Sequence, residues 1–264
     1  MVLLILIGPQ SVIVKFQGEV SGTLDIGAGV PQGSVLGPLL FLLYVNDLPG
    51  VIKYGHCTSF ADDTTLLWHH TDTTVLSTMI NEDLGHIEEW CDSNKLAFNI
   101  SKTNILNFKC NLSNISFENG EVSNLRENKF LGILIDNRLK FERHIDVLAS
   151  KISSSCYAIR IIKSNVSFTV AKQAYFSLVE SHLRYGVSFW GSCSATLFQT
   201  VFILQKRAIR YLCTTGSRES CKPYFLEHKI LTLPCLFRVG VSNAQKVFIH
   251  DSPEHWNYKS SIYY

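Results

Sequence analysis

Two adjacent aspartates interrupt the apolar stretch Thr58-Ser-Phe-Ala-Asp-Asp-Thr-Thr-Leu-Leu67. An apolar segment, a polar pair and a second apolar segment predict a strand, a turn and a returning strand. The turn is expected to carry Asp62 and Asp63 out of the sheet. Two interpretations of the pair stay open at this point. It is either a solvated turn, since aspartate favours turns for local reasons, or the tip of a cation site.

The chemistry of paired carboxylates favours a role with metal ions. Adjacent carboxylates repel each other, and a divalent cation relieves that repulsion by neutralising both. Mg²⁺ is typically bound through one or two carboxylates together with substrate phosphates. Asp62 and Asp63 therefore suggest phosphoryl or nucleotidyl transfer.

A glycine- and proline-rich loop lies upstream, in the segment Gly29-Val-Pro-Gln-Gly-Ser34. Glycines let the backbone approach a bulky ligand, so the loop could hold a nucleotide or a template base. Ser34 is expected to cap an apolar, buried helix over residues 35–48.

These two motifs, in this order and spacing, resemble the palm of reverse transcriptases from non-LTR retrotransposons, in particular jockey-like elements. Trp90, Asn99 and Lys102-Thr103 resemble the family's next block, and Phe130-Leu-Gly-Ile133 resembles its primer grip. The similarity extends from about Ser11 over nearly the whole chain. It implies an RNA template, a DNA primer, deoxynucleotides and Mg²⁺ or Mn²⁺ for the intact parent protein.

The resemblance also implies residue roles. Asp62 and Asp63 correspond to metal-binding, catalytic carboxylates, with Asp62 as the direct ligand, and Lys102 lies near the nucleotide phosphates. The resemblance further implies that two sets of residues contact the substrates. The template base and nucleotide lie against Gln32, Gly33 and Ser34, and the primer end is seated by Phe130, Leu131 and Gly132. A surface lysine and a buried strand remain the alternatives for Lys102 and for the primer-grip segment.

One part of the family pattern is missing. A further palm aspartate, which bridges both metals, precedes the glycine-rich loop in the family, whereas the first 29 residues here contain only Asp25. Two carboxylates alone are expected to bind Mg²⁺ weakly or not at all, because Mg²⁺ demands near-octahedral geometry. We therefore expect a reverse transcriptase fragment without activity of its own. The alternative is a non-catalytic nucleic-acid-binding or structural remnant.

Charge is distributed unevenly along the chain. Residues 1–137 hold 7 Lys and Arg against 15 Asp and Glu, a net −8, whereas residues 138–264 hold 17 against 7, a net +10. An amphipathic helix around residues 197–212 places Lys206, Arg207 and Arg210 three and four residues apart. This spacing predicts a contact with a nucleic-acid backbone, and a solvated basic face is the alternative.

The periodicity of apolar residues predicts an α+β fold in two parts. Residues 1–137 are expected to form a partial palm, an antiparallel sheet with helices, and residues 138–264 an all-α thumb and post-polymerase region. An amphipathic helix is predicted through Leu76, Ile80 and Leu84. Further elements are predicted from the same patterns: strands over residues 11–16, 22–26, 96–98, 103–108 and 129–135, and helices over residues 145–162, from Ser167 onward, and over residues 220–230.

The sequence gives little indication of location or protein partners. The apolar start, residues 1–7, lacks a basic segment and a cleavage site of the usual kind, and it is too short to span a bilayer. A cytoplasmic or nuclear protein without a membrane contact is expected. No specific protein partner can be inferred.

Overall fold

The computed structural model describes residues 10–26, 34–97, 99–108, 112, 115–117 and 120–251. The chain forms two compact units. The first comprises Met1–Ile105 and Cys110–Asn124, and the second comprises Leu106–Lys109 and Leu125–Tyr264. The expected mixture of α and β structure is present, and from Glu142 to Asp251 the described residues form helices and connections without strands.

The first unit contains short strands and two α-helices among its described residues. Its strands are β1 (Gln10–Val12), β2 (Lys15–Phe16), β3 (Glu19–Val20), β4 (Leu24–Ile26), β5 (His56–Phe60), β6 (Asp63–Leu67), β7 (Asn104–Leu106), β8 (Ser116–Phe117), β9 (Gly120–Glu121) and β10 (Ser123–Leu125). The last residue of β7 and of β10 belongs to the second unit. Its helices are α1 (Gly37–Tyr44) and α2 (Thr73–Ser93), with 3₁₀ turns at Leu48–Val51 and Ile100–Lys102. Antiparallel pairs join β1 to β4, β2 to β3, β5 to β6 and β8 to β9. The described strands thus form two-stranded ribbons rather than the single sheet that we expected.

Helix α2 supplies most of the core of the first unit. Asp72 caps it, since its carboxylate accepts from the backbone N–H groups of Thr74 and Val75 at 2.7 and 3.3 Å. The predicted apolar face is confirmed, and its buried residues are Leu76, Ile80, Leu84, Ile87, Trp90 and Cys91.

The second unit begins with a hairpin and continues as a helical bundle. Its elements are β11 (Glu127–Phe130), β12 (Ile133–Asp136), α3 (Glu142–Asn165), α4 (Phe168–Tyr175), α5 (Ser181–Arg184), α6 (Val187–Trp190), α7 (Ala195–Cys213), α8 (Lys222–Glu227) and α9 (Leu233–Asp251). Helices α3 and α7 pack against each other, and the fully buried side chains include Trp190, Tyr175, Ile152 and Ile209. Burying such side chains is the main source of stability for a bundle of this kind.

Asp136 makes the connection from β12 into α3 tight. Its carboxylate accepts hydrogen bonds from the backbone N–H groups of Arg138, Lys140 and Phe141 at 2.9, 3.2 and 2.6 Å. Burial tends to raise the pKa of Asp136, but these hydrogen bonds outweigh it and keep the pKa below its ordinary value.

Several predicted elements differ from the structure. The apolar helix spans Gly37–Tyr44 rather than residues 35–48, with Pro38 in its first turn, and none of its residues is buried. Ser34 is not its cap: the N-cap position is Leu36, and Ser34 contributes only its carbonyl oxygen to Gly37. Residues 96 and 97 are not in a strand, and residue 98 lies outside the described residues.

Two further differences arise from the local backbone. Residues 129–135 do not form one strand, because the chain reverses at Leu131 and Gly132. The helix that begins after Ser167 contains a π-helical turn at Phe176–Glu180. Its buried hydrophobic residues are Ala171, Tyr175, Val179 and Leu183, whereas the apolar Val170 is 47% exposed.

Within the described residues, every helix is too short or too polar to cross a lipid bilayer.

Candidate active site

The predicted aspartate hairpin is present. Strand β5 runs antiparallel to β6 with His56 opposite Leu67 and Phe60 opposite Asp63. Ala61 and Asp62 form the two-residue turn, so Asp62 lies at the tip and Asp63 begins the returning strand. Both aspartates are exposed. The turn therefore presents two adjacent carboxylates to solvent, although Asp63 lies within the ribbon rather than beyond it.

Ala61 has a strained backbone at this tip. Its φ is +52°, a left-handed conformation that costs an L-residue roughly 1–2 kcal/mol. Positive φ at the first central residue is what a tight two-residue hairpin requires, and glycine would supply it without the penalty. Strain of this kind is often found at functional turns.

The hairpin has few packing contacts of its own. In β5 only Cys57 is partly buried, and in β6 only Leu66 is, while Phe60 is 65% exposed. A two-stranded ribbon is marginally stable in water without additional packing. The structure around the base of the ribbon therefore decides where its tip lies.

Asp83 of α2 occupies that base. Its side chain is fully buried, and its carboxylate accepts from the backbone N–H groups of Lys53, Tyr54 and Gly55 at 2.8, 3.1 and 2.8 Å. It also accepts from the indole Nε1–H of Trp68 at 2.7 Å. Residues 53–55 lead directly into β5, and Trp68 directly follows β6. One carboxylate therefore holds both ends of the hairpin.

These hydrogen bonds set the ionisation of Asp83. Burial tends to raise the pKa of its carboxyl group, but the bonds from Trp68 and from the three backbone N–H groups together outweigh burial and lower the pKa. Lys53 adds a surface ion pair with Glu82 at 2.9 Å. Such an exposed pair contributes little to stability.

We expect the hairpin base to lose stability in acid. The pKa of Asp83 is lower in the folded protein than its ordinary value of 3.8, so its contribution is complete above that value. The contribution is lost as the pH falls from there through the folded-state pKa. Amide hydrogen exchange of residues 53–68, measured from about pH 5 downward, should show this loss. An Asp83→Asn variant should show a flatter pH dependence, and equally steep profiles would contradict the assignment.

The other residues implied at the nucleotide site are only partly described. Gln32 and Gly33 lie outside the described residues, and Ser34 lies three residues before α1. Lys102 is exposed and ends the 3₁₀ turn Ile100–Lys102, which the side chain of Asn99 caps. In the part of the chain that the structure describes, no ion pair or hydrogen bond joins Lys102 to Asp62 or Asp63.

The primer-grip segment forms the turn between β11 and β12. Leu131 and Gly132 both have positive φ, +44° and +86°, as a tight two-residue turn requires. The hydroxyl of Tyr185 donates to the Leu131 carbonyl oxygen, so the turn is attached to the helical bundle of its own unit. Phe130 ends β11 and is half-buried.

The three predicted cations of α7 point in two directions. Lys206 lies over the ring of Phe202 at 4.1 Å, and Arg210 donates to the Glu219 carbonyl oxygen at 3.2 Å. Arg207 is exposed on the side facing α3, where its charge partly offsets the burial that raises the pKa of Cys156 to about 11. The helix thus presents positive charge on both sides of its buried face.

The donor set at the hairpin fits a cation only in part. Among the described residues, no group of three or more His, Cys, Asp or Glu side chains comes together as a metal site. Asp62 and Asp63 supply two carboxylates, and Mg²⁺ accepts one or two protein carboxylates when phosphates and water complete its shell.

Asp83 was not among the predicted site residues. A signal was nevertheless present in the sequence, because Asp83 follows Ile80 by three positions and precedes Ile87 by four. It therefore lies on the apolar face of α2. A carboxylate on such a face must be paired or hydrogen-bonded when buried.

The chain belongs to the reverse transcriptase (RNA-dependent DNA polymerase) family, whose pattern matches residues 4–212. It is 27% identical over 209 residues to the probable RNA-directed DNA polymerase from transposon X-element of Drosophila melanogaster, covering 75% of this chain and 23% of that protein. The identity is 28% over 213 residues for the corresponding protein from transposon BS of the same species, covering 75% and 24% of the two chains. For the RNA-directed DNA polymerase from mobile element jockey, also of D. melanogaster, it is 25% over 211 residues, covering 75% and 23%.

These relatives confirm the resemblance to reverse transcriptases of jockey-like non-LTR elements. The chain spans about a quarter of the length of the curated relatives it matches. No solved structure matches the chain.

Proposed function

We propose that this chain carries the aspartate hairpin and the nucleic-acid-holding helices of an RNA-directed DNA polymerase. The observation that supports this most strongly is the β5–β6 hairpin, which presents Asp62 and Asp63 at an exposed tip in a chain of the reverse transcriptase family. Asp62, at the turn, is the direct metal ligand, and Asp63 is the second carboxylate. The substrates are an RNA template, a DNA primer and deoxynucleotides.

A divalent cation, Mg²⁺ or Mn²⁺, supplies the charge that activates the primer 3′-hydroxyl and stabilises the leaving pyrophosphate. The residues of this chain position the reactants. Asp62 and Asp63 provide the carboxylates that bind the cation, and Lys102 offsets negative charge on the nucleotide phosphates. Gln32, Gly33 and Ser34 contact the template base and the nucleotide, while the turn of Phe130, Leu131 and Gly132 seats the primer end.

The 264-residue polypeptide is inactive by itself in this proposal. Two carboxylates hold Mg²⁺ weakly, and the described residues bring no third acidic side chain to Asp62 and Asp63. In a primer-extension assay on an RNA template with Mg²⁺ or Mn²⁺, we expect no template-dependent product. A product that disappears in an Asp62→Asn variant would show that the polypeptide is a complete enzyme and would refute this part.

Binding of nucleic acid without catalysis is the second candidate function, and the net charge of +10 in residues 138–264 favours it. A polymerase fragment and a binding remnant both retain an electrostatic contact with a duplex. They differ in cation binding at the hairpin, because only the polymerase fragment requires Asp62 and Asp63 to bind a cation. A gel-shift measurement at low salt detects duplex binding. Failure to shift any duplex would exclude both functions and indicate a purely structural remnant.

A further inference from the structure

The hairpin that carries Asp62 and Asp63 depends on one distant carboxylate for its position. Asp83 accepts from three backbone N–H groups ahead of β5 and from the Trp68 indole behind β6, at 2.7 to 3.1 Å. Its own side chain is fully buried on α2. The ribbon thus leaves the core of the first unit at a point where both of its strands are tied to the same group.

The backbone before β5 packs closely against the Trp68 side chain. A Cβ atom placed on Gly55 would lie 2.5 Å from the Trp68 Nε1 atom, so the backbone before β5 lies directly against the indole ring. Only glycine permits this approach. Gly55, Trp68 and Asp83 therefore form a single joint, which we call the hairpin anchor.

We propose that Asp83 is a positioning residue for the reaction: through the hairpin anchor it holds the Asp62–Asp63 tip where a cation and nucleotide can be bound. This inference rests on the proposed function of the two aspartates. Asp83 is not a ligand, because its oxygens are occupied by N–H donors and five strand residues, roughly 16 Å, separate the anchor from the tip.

A displacement at the anchor is amplified at the hairpin tip. Because β5 and β6 are largely exposed, side-chain packing does little to fix their direction. A small rotation at the anchor moves a tip five residues away by several times the displacement at the base. Metal coordination tolerates only small displacements of its ligands, so the anchor decides whether the two carboxylates converge on one cation.

Asp83→Asn is a nearly isosteric test. The asparagine NH₂ group is a donor, and in either orientation it faces backbone or indole N–H groups that need an acceptor. Glu82→Gln is the matched control, since Glu82 is the neighbouring carboxylate, lies near the surface and contacts Lys53 through side chains only. Trp68→Phe is a milder variant that removes one donor and affects only the β6 end of the anchor.

Two measurements on the full chain are needed: hydrogen exchange by mass spectrometry, and Mn²⁺ binding by electron paramagnetic resonance. We expect Asp83→Asn to speed exchange of residues 56–67 at least tenfold while residues 84–90 of α2 remain protected. We expect it also to weaken Mn²⁺ binding several-fold. Trp68→Phe should change the same quantities in the same direction but less, and Glu82→Gln should change neither.

Three outcomes would overturn the proposal. The first is unchanged exchange in the hairpin, and the second is unchanged Mn²⁺ affinity despite faster exchange. The third is equal loss of protection along α2 in both Asp83→Asn and Trp68→Phe, which would make the carboxylate a general stabiliser. If Asp62→Asn leaves Mn²⁺ binding intact, the proposed function fails by itself, while the exchange data still decide whether Asp83 anchors the hairpin.

Discussion

Replacing Gln205 by leucine is expected to lower the free energy of unfolding of the helical unit by about 3 kcal/mol or more. Gln205 is fully buried on α7 and makes three hydrogen bonds. Its amide NH₂ donates to the Tyr175 hydroxyl at 3.0 Å and to the Leu231 carbonyl oxygen at 2.9 Å. Its amide oxygen accepts from the Leu233 N–H at 2.7 Å.

The loss is large because leucine leaves these partners without a substitute. The N–H of Leu233 and the hydroxyl of Tyr175 are fully buried, and each unsatisfied buried group costs about 1–3 kcal/mol. Burial also raises the pKa of Tyr175 well above its ordinary value, so the hydroxyl stays neutral and continues to need its hydrogen bonds. Chemical denaturation monitored on the helical unit measures the effect.

Gln199→Leu is the matched control. Gln199 lies on the same helix but is exposed, so its replacement should change the free energy of unfolding by less than about 0.5 kcal/mol. Equal effects of the two substitutions would show that Gln205 does not join α7 to the segment ahead of α9.

Binding of a short DNA duplex is expected to weaken roughly 40-fold between 50 and 200 mM salt, if Lys206, Arg207 and Arg210 each neutralise one phosphate. The reason is release of condensed counterions, which gives a slope of about −0.9 per neutralised phosphate in a plot of log affinity against log salt. The structure supports a contribution from Arg207 in particular, because its side chain is exposed.

The test variant is Lys206→Gln/Arg207→Gln/Arg210→Gln, which removes charge but keeps most of each side chain. Its salt slope should be shallower by about 3 when measured by fluorescence anisotropy. Lys172→Gln on α4 is the control, and its salt slope should still include the contribution of Lys206, Arg207 and Arg210. If the triple variant keeps the parental slope, the phosphate contacts lie elsewhere on the chain.

The sequence predicted best where local chemistry and burial agree. The Asp62–Asp63 hairpin and the apolar face of α2 followed from strand, turn and helix patterns, and the structure confirms both. The helix of Lys206, Arg207 and Arg210 was predicted within two residues at each end, and its apolar positions Val201, Leu204 and Ala208 are buried.

Other features depend on contacts that a sequence pattern does not contain. Residues 129–135 read as one apolar strand, but the turn at Leu131 and Gly132 is held by the hydroxyl of Tyr185, 54 residues later. The π-helical turn at Phe176–Glu180 interrupts a helix whose apolar spacing does not predict it. The sequence places Asp83 on the apolar face of α2, but it does not show that the carboxylate accepts from the backbone of residues 53–55 and from the Trp68 indole.

The apolar helix α1 also shows that composition alone does not predict burial. Because the helix is apolar, its side chains were expected to be buried. Leu39, Leu42 and Leu43 are nevertheless each more than half exposed. Composition indicates only that a helix can bury such residues, whereas burial requires a partner surface. A contiguous apolar patch of this kind is expected to make the isolated polypeptide prone to association.

Asp62 and Asp63 together form a cation-binding tip in the proposed function. Titration of the full chain with Mn²⁺, followed by electron paramagnetic resonance, measures that binding. We predict weak binding that is lost in Asp62→Asn and in Asp63→Asn but retained in Asp92→Asn, which changes an exposed carboxylate at the end of α2. Mn²⁺ binding that is unchanged in both hairpin variants would contradict the account.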